Sequence, residues 1–260
     1  MNLRGKTVVV TGASSGIGRA TALEMARRGA NLVLAARRAE ELEMTAAECR
    51  RLGVESVAIP TDVGDREQCR QLIERAGKID VLVNNAGFAI FDSIAAADAG
   101  DLEQMMQTNF FGAVHCTQAV LPQMLERGAG TIVNVSSICG IMGYARMGGY
   151  CATKFAVVGF TEALRDEVLG RGVSVALVCP GTTETDFFLK AERGKMPAAS
   201  RLLLAVKPER VARDVCNAAE DGRYRRILPL LARVFIRMKE VFPRFAHLLM
   251  RGVSAGLEKR

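Results

Sequence analysis

Short apolar runs rich in β-branched residues alternate along the chain with apolar positions at helical spacing. Thr7–Thr11 is the first run, and a helix pattern follows over Gly16–Gly29. Asn31–Ala36, Val54–Pro60 and Asp80–Asn84 continue the series, with helices expected over Ala39–Leu52 and Asp65–Ala76 between them. Helices are then expected over roughly Ala97–Thr108 and Asn109–Arg127. Thr131–Ser136 and Val173–Cys179 read as strands with a helix near Tyr150–Arg171 between them, and Arg225–Leu228 as a last short strand. These strands are continuously apolar rather than alternating, so both of their faces must be covered. The pattern predicts one α/β domain, a doubly wound parallel sheet of about seven strands with helices on both faces. The irregular stretches are 180–206 and everything after Pro229.

Composition narrows the class. A 260-residue chain that is 49% hydrophobic and 24% charged can bury a large core, which excludes disorder as its main state. The seven cysteines form no C-x-x-C pair, and most have apolar neighbours. They read as reduced, buried thiols of a cytoplasmic protein rather than a disulfide framework. With only His115 and His247 in the chain, no His-based zinc site is expected. The N-terminus enters a strand at once, so no signal peptide is expected. The uncharged run Gln104–Leu125 is broken by Asn109, His115, Gln118 and Pro122 and does not read as a membrane span.

The chemistry starts where the first strand runs into Thr11-Gly-Ala-Ser-Ser-Gly-Ile-Gly18. Glycines at a strand-to-helix turn let backbone N–H groups approach a pyrophosphate at a helix N-terminus. Gly12, Ser14, Ser15, Gly16, Ile17 and Gly18 are therefore candidate cofactor contacts. The second strand ends Leu34-Ala-Ala-Arg-Arg38, without the acid that would accept a free ribose 2′-OH. Arg37 and Arg38 point instead to a 2′-phosphate, hence NADP(H). Two cations at a helix start oppose its dipole and so ask for an anion.

Asp62-Val63 and Asn84-Asn-Ala-Gly87 lie at carboxyl ends of expected strands, where ligands of such sheets bind. Tyr150 and Lys154 are four apart on an expected helix and share one face. An ammonium beside a phenol favours the phenolate, so the pair is expected to have a lowered Tyr150 pKa, suited to acid/base work. Ser137, just past a strand end, could donate to a substrate carbonyl.

Together these residues resemble the short-chain dehydrogenase/reductase family in its ordinary short form. Thr11–Gly18 matches the pattern TGxxxGxG, Asn84–Gly87 matches NNAG, and Ser137, Tyr150 and Lys154 fit S-x12-Y-x3-K. Asn109 falls at the family's helix asparagine, and Pro180-Gly181 with Thr185 fits PGxxxT. The resemblance covers roughly residues 5–230 and implies a Rossmann-like fold. It also implies a catalytic tetrad. Tyr150 exchanges a proton with the substrate oxygen, and Lys154 holds the nicotinamide ribose and lowers the Tyr150 pKa. Ser137 orients the carbonyl and Asn109 supports a water relay. Implied cofactor contacts are Asp62 and Val63 at the adenine, Asn85 near the adenosine ribose, and Ala86 and Gly87 next to it. Tyr150 and Lys154, Pro180, Gly181 and Thr183 complete the set, with Thr185 near the carboxamide. Helices matching 109–127 and 150–171 build dimer interfaces in the family, so a homodimer or homotetramer is expected.

The net charge of +7 lies in the tail, because residues 221–260 hold ten basic groups against three acids. Apolar residues recur at Leu230, Leu231, Val234, Phe235, Met238, Val241 and Phe242, then at Phe245, Leu248 and Leu249, with Arg233, Arg237, Arg244 and Arg251 on another face. Two readings stay open for 231–260. The stripe packs on the domain or a subunit interface, or residues 230–251 make peripheral contact with an anionic membrane. No motif suggests a nucleic-acid partner. Residues 186–206, with Phe187, Phe188 and Leu202–Leu204, read as an apolar substrate lid.

The expected activity is NADP(H)-dependent hydride transfer on a hydrophobic ketone or aldehyde, or its alcohol, of steroid-, retinoid- or fatty-chain-like character. The rival reading is a non-catalytic NADP(H)-binding protein of regulatory or membrane-surface type.

Overall fold

The computed structural model describes residues 1–183, 187, 206–242 and 244. Its strands are β1 (Thr7–Thr11), β2 (Asn31–Ala36), β3 (Ser56–Pro60), β4 (Val81–Asn84), β5 (Gly130–Val135), β6 (Val173–Pro180) and β7 (Arg225–Leu228). All pair in parallel in the order β3-β2-β1-β4-β5-β6-β7. The direction of winding reverses between β1 and β4, and such a reversal opens a crevice at the carboxyl ends of the strands.

Alternate residues of each strand feed opposite layers. Val8 and Val10 face one apolar cluster with Ala22, Met25, Leu42, Val211 and Val215. Val9 and Leu82 face the other, with Leu72, Cys116, Val120 and Leu164. The first cluster draws on helices α1 (Gly16–Arg27), α2 (Ala39–Arg51) and α7 (Pro208–Asp221). The second draws on α3 (Arg66–Ala76), α5 (Gly112–Arg127) and α6 (Gly148–Glu167). Each fully buried Val or Leu contributes roughly 1.5–3 kcal/mol, so the two layers supply the main driving force.

Three features depart from the expected elements. The two helices expected to meet at Thr108 and Asn109 are joined without a break. α4 (Ala99–Met106) continues through a π-helical turn, Gln107–Phe111, into α5. α6 ends at Glu167 rather than Arg171, since the chain turns at Gly170 and Gly172, both at φ 76°. α7 was not among the expected helices, although its signals are present. Pro208 stands in its first turn, Gly222 follows in left-handed conformation, and Val211 and Val215 recur on one face.

α8 (Leu230–Val241) follows β7 directly. It is anchored through Ala232 and Ile236, both buried. The apolar stripe read from the sequence is not the buried one: Leu230, Leu231, Val234, Val241 and Phe242 are exposed. Among the described residues no helix is long and apolar enough to cross a membrane.

Asp98 caps α4, accepting from the backbone N–H groups of Gly100 (2.8 Å) and Asp101 (3.3 Å). Asp98→Ala is expected to cost about 1 kcal/mol of stability in urea unfolding. An unchanged midpoint would show that the cap does not hold this helix.

Candidate active site

The glycine turn is built for close backbone approach. Gly12 (φ 67°) and Gly16 (φ 55°) lie in the left-handed region that other residues enter at a cost. A Cβ on Gly12 would stand 2.8 Å from the Ala86 Cα, and one on Gly18 would meet the Gly12 carbonyl and lie 2.6 Å from the Asn85 Nδ2. β1 and β4 are tied together here. Asn85 donates from Nδ2 to the Thr11 carbonyl (2.9 Å), and the Asn85 and Ala86 N–H groups both donate to the Thr11 Oγ1 (3.0 Å each). Asn85, expected near a ribose, has its side-chain amide engaged in this tie.

Ser15 stands at the N-cap of α1 without making a side-chain cap, and the first turn holds no acid. The helix start therefore keeps its positive end open, with Ile17 packed partly into the core behind it. Arg38 donates to the Ser14 Oγ (2.9 Å) and Ser15 Oγ (2.7 Å). It also pairs with Glu41 at 3.3 Å. Arg37 is exposed and has no hydrogen bond or ion pair with any described residue. Glu40 and Glu41 in the first turn of α2 offset part of the dipole cost of these two cations. Glycine cradle, open helix start and adjacent guanidinium groups fit a dinucleotide pyrophosphate with a further anion beside it.

Asp62 and Val63 follow β3. The Asp62 carboxylate accepts from the Gly64 N–H (2.9 Å), and Val63 is buried against Gly112. The π-helical turn aims the buried Asn109 inward. Its Oδ1 accepts from the Phe88 N–H (2.9 Å), and its Nδ2 donates to the Phe88 carbonyl (2.8 Å) and the Thr153 Oγ1 (3.1 Å). A Cβ on Gly87 would lie 3.0 Å from the Asn109 Oδ1 and 3.6 Å from the Lys154 Nζ. Inserted π-turns recur at functional sites because they re-aim a side chain without breaking the helix.

Ser137, Tyr150 and Lys154 come together, all buried. The Ser137 Oγ accepts from the Cys139 N–H (3.1 Å) and donates to the Pro180 carbonyl (3.4 Å). Ser136 turns away, donating to the Lys154 carbonyl (3.0 Å). The Lys154 Nζ donates to the Val135 carbonyl (3.1 Å) and lies 5.8 Å from the centre of the Tyr150 ring.

The expected lowering of the Tyr150 pKa does not hold in this geometry. Burial pushes it well above the usual tyrosine range, with the nearby Cys139 adding to the effect and a hydrogen bond with Ser137 opposing it. Lys154 is bonded to a backbone carbonyl instead of the phenol oxygen, and burial lowers its own pKa to about 8.

Pro180 ends β6, the Gly181 N–H donates to the Leu228 carbonyl (2.7 Å), and the Thr183 Oγ1 donates to the Gly181 carbonyl (3.2 Å). Thr185 and most of the expected lid lie outside the described residues. Phe187 is described, and its ring stands 5.7 Å from that of Tyr150. It joins an apolar cluster with Phe91, Ile138, Met147 and Tyr150.

Two features escaped the sequence reading. Asn84 and Asn134 are register partners inside the sheet; Asn84 Nδ2 donates to the Asn134 Oδ1 (2.9 Å) and Asn134 Nδ2 to the Thr161 Oγ1 (2.9 Å). This polar ladder joins β4 and β5 to α6 beneath the site. Its signal was an asparagine inside each of two apolar strands. The Tyr144 hydroxyl is buried without a hydrogen-bond partner among the described residues, packed against the cluster that holds Tyr150. No pattern in the sequence singled it out.

The family model for short chain dehydrogenases matches residues 6–195. The chain belongs to the short-chain dehydrogenase/reductase family, and it is an oxidoreductase with that family's fold for a nicotinamide cofactor. It is 36% identical over 228 residues to the 3-oxoacyl-(acyl-carrier-protein) reductase FabG of Thermotoga maritima, covering 85% of this chain and 93% of that one. It is 32% identical over 256 residues to human 17-beta-hydroxysteroid dehydrogenase 13, covering 96% and 83%. A short chain dehydrogenase/reductase from Burkholderia phymatum, solved in complex with NAD, superposes with a TM-score of 0.84 at 29% identity. The superposition covers 92% of this chain and 94% of that one.

Gly18→Ala is expected to weaken dinucleotide binding by more than about tenfold, read by calorimetric titration, because the Cβ forces the turn open. Wild-type affinity in this variant would place the pyrophosphate elsewhere.

Proposed function

We propose that the protein is an NADP(H)-dependent oxidoreductase acting on a hydrophobic ketone or aldehyde and the corresponding alcohol. The observation that carries this reading is the buried Ser137–Tyr150–Lys154 cluster, next to an open glycine cradle at the carboxyl ends of the central strands. A bound nicotinamide supplies the hydride. In the reducing direction the Tyr150 phenol, kept protonated by burial, gives its proton to the carbonyl oxygen. Ser137 donates a hydrogen bond to the same oxygen and fixes its position. The Lys154 ammonium stabilises the phenolate that Tyr150 becomes, and Asn109 braces the helix pair that holds them.

Arg37 and Arg38 support a 2′-phosphate at the cofactor's adenosine end, with no acid at the end of β2 to take a free hydroxyl. Phe91, Met147 and Phe187 around Tyr150 support an apolar substrate. The orphaned Tyr144 hydroxyl suits a second oxygen on that substrate, since an unpaired buried hydroxyl costs about 1–3 kcal/mol until it is met. Exposed Phe111 and Phe155, beside α5 and on α6, support a homodimer or homotetramer. Seven buried, unpaired cysteines suit a reducing, cytoplasmic compartment.

The test follows nicotinamide absorbance with NADPH and NADH against hydrophobic carbonyls, each with and without a second oxygen. NADPH turnover that Tyr150→Phe abolishes, with cofactor binding retained, is the expected result. Arg37→Asp is expected to cut the preference for NADPH by at least about tenfold. Tyr144→Phe should narrow the gap between the paired substrates. Binding of NADPH with no turnover on any carbonyl would overturn the reading.

Activity should also depend on pH. Lys154 is charged below about 8 and loses its charge above, while Tyr150 keeps its proton throughout that range. The kcat/KM for reduction is expected to fall as pH rises through about 8. A profile flat to well above that point would contradict the assigned role of Lys154.

A further inference from the structure

α8 presents to solvent the side that a buried helix would hide. At about 100° per residue, Leu230, Val234 and Val241 fall on one line along the helix, opposite the buried Ala232 and Ile236. Leu231 and Phe242 widen this stripe on one flank, and all five are more than half exposed. Arg233 and Arg237 run along the other flank, both exposed. Arg237 reaches Glu240 at 3.1 Å, and among the described residues Arg233 makes only a long contact of 3.5 Å to the Ile227 carbonyl.

The stripe leads into a cleft. Leu230, Pro229 and Leu228 form one wall of a cavity of about 620 Å³, and Lys207, Arg210 and Arg213 stand on the other, with Glu209 the single acid among them. Arg210 is partly neutralised by Asp214 at 3.3 Å. Lys207 and Arg213 are exposed. The apolar stripe and the basic wall thus meet at Leu230, beside the edge strand β7.

We infer that this surface docks on an anionic phospholipid bilayer. Leu230, Leu231, Val234, Val241 and Phe242 enter the acyl boundary, while Arg233, Arg237 and the Lys207–Arg213 wall meet lipid phosphates. Charge selects this occupant over a second copy of the chain. On the face itself Lys207, Arg210, Arg213, Arg233 and Arg237 stand against Glu209 and Glu240, so two such faces related by a two-fold axis would repel each other, whereas an anionic leaflet attracts them. Such docking would hold the enzyme where apolar carbonyl substrates dissolve.

The experiment is flotation of the full-length protein with vesicles of phosphatidylcholine alone and with about one-third phosphatidylserine. Expected is strong binding to the anionic vesicles, weak binding to the neutral ones, and loss on raising the salt. Arg233→Gln with Arg237→Gln should weaken binding about 30-fold, at roughly a tenfold loss per 1.4 kcal/mol and about 1 kcal/mol per cation. Leu231→Asp with Val234→Asp should abolish it. Cofactor affinity in both variants should match wild type, which shows that they are folded and keeps this result separate from the proposed activity. No preference for anionic vesicles would overturn the inference. So would substitutions that spare vesicle binding and instead lower the molar mass in solution, which would make the face a subunit interface.

Discussion

The exclusion of water around Lys154 is the constraint on which the site depends. An ammonium this deeply buried is tolerated only where its surroundings answer it, and here a strand carbonyl does so at 3.1 Å. The same burial raises the Tyr150 pKa and lowers that of Lys154, drawing two groups that both titrate near pH 10 in water well apart. A phenol that keeps its proton thus stands beside an ammonium that gives up its own more readily than in water. The sheet exists, from this standpoint, to carry polar groups to the carboxyl ends of its strands and then close over them.

The support beneath this pair is polar as well as apolar. The Asn84–Asn134–Thr161 ladder crosses the sheet into α6, and Asn109 joins the π-helical turn to α6 through Thr153. A buried hydrogen-bonded network has few alternative arrangements, so it holds the register of β4, β5 and α6 more sharply than apolar packing alone. The π-helical turn belongs to the same device, because a regular helix through Gln107–Phe111 would carry Asn109 to a different angle.

Much of this was legible in the chain. The central strands were visible as apolar runs, because strands covered on both faces leave no polar alternation, and the edge strand Arg225–Leu228 was found with its observed bounds. The structure brings Ser137, Tyr150 and Lys154 together and turns Ser136 away to the Lys154 carbonyl. What was not legible depends on distance and burial. Spacing put Lys154 on the face of Tyr150, but it could not reveal that the ammonium would bond Val135 or that desolvation would outweigh charge. The periodicity of 230–242 disclosed a stripe without disclosing that β7 would hold the opposite side, so the apolar residues face outward. α7 was missed for another reason: its alanine- and charge-rich sequence lacks the long apolar side chains that made the other helices conspicuous.

The central claim, that burial keeps the Tyr150 phenol protonated in the free protein, is tested most directly by ultraviolet difference titration. The chain suits it, with three tyrosines and no tryptophan. Burial raises the pKa of all three: Tyr224 to about 12, Tyr144 and Tyr150 further still. The account therefore predicts no tyrosinate absorbance from neutral pH up to about 10 in the cofactor-free protein. An ionisation near neutral pH that disappears in Tyr150→Phe would contradict it.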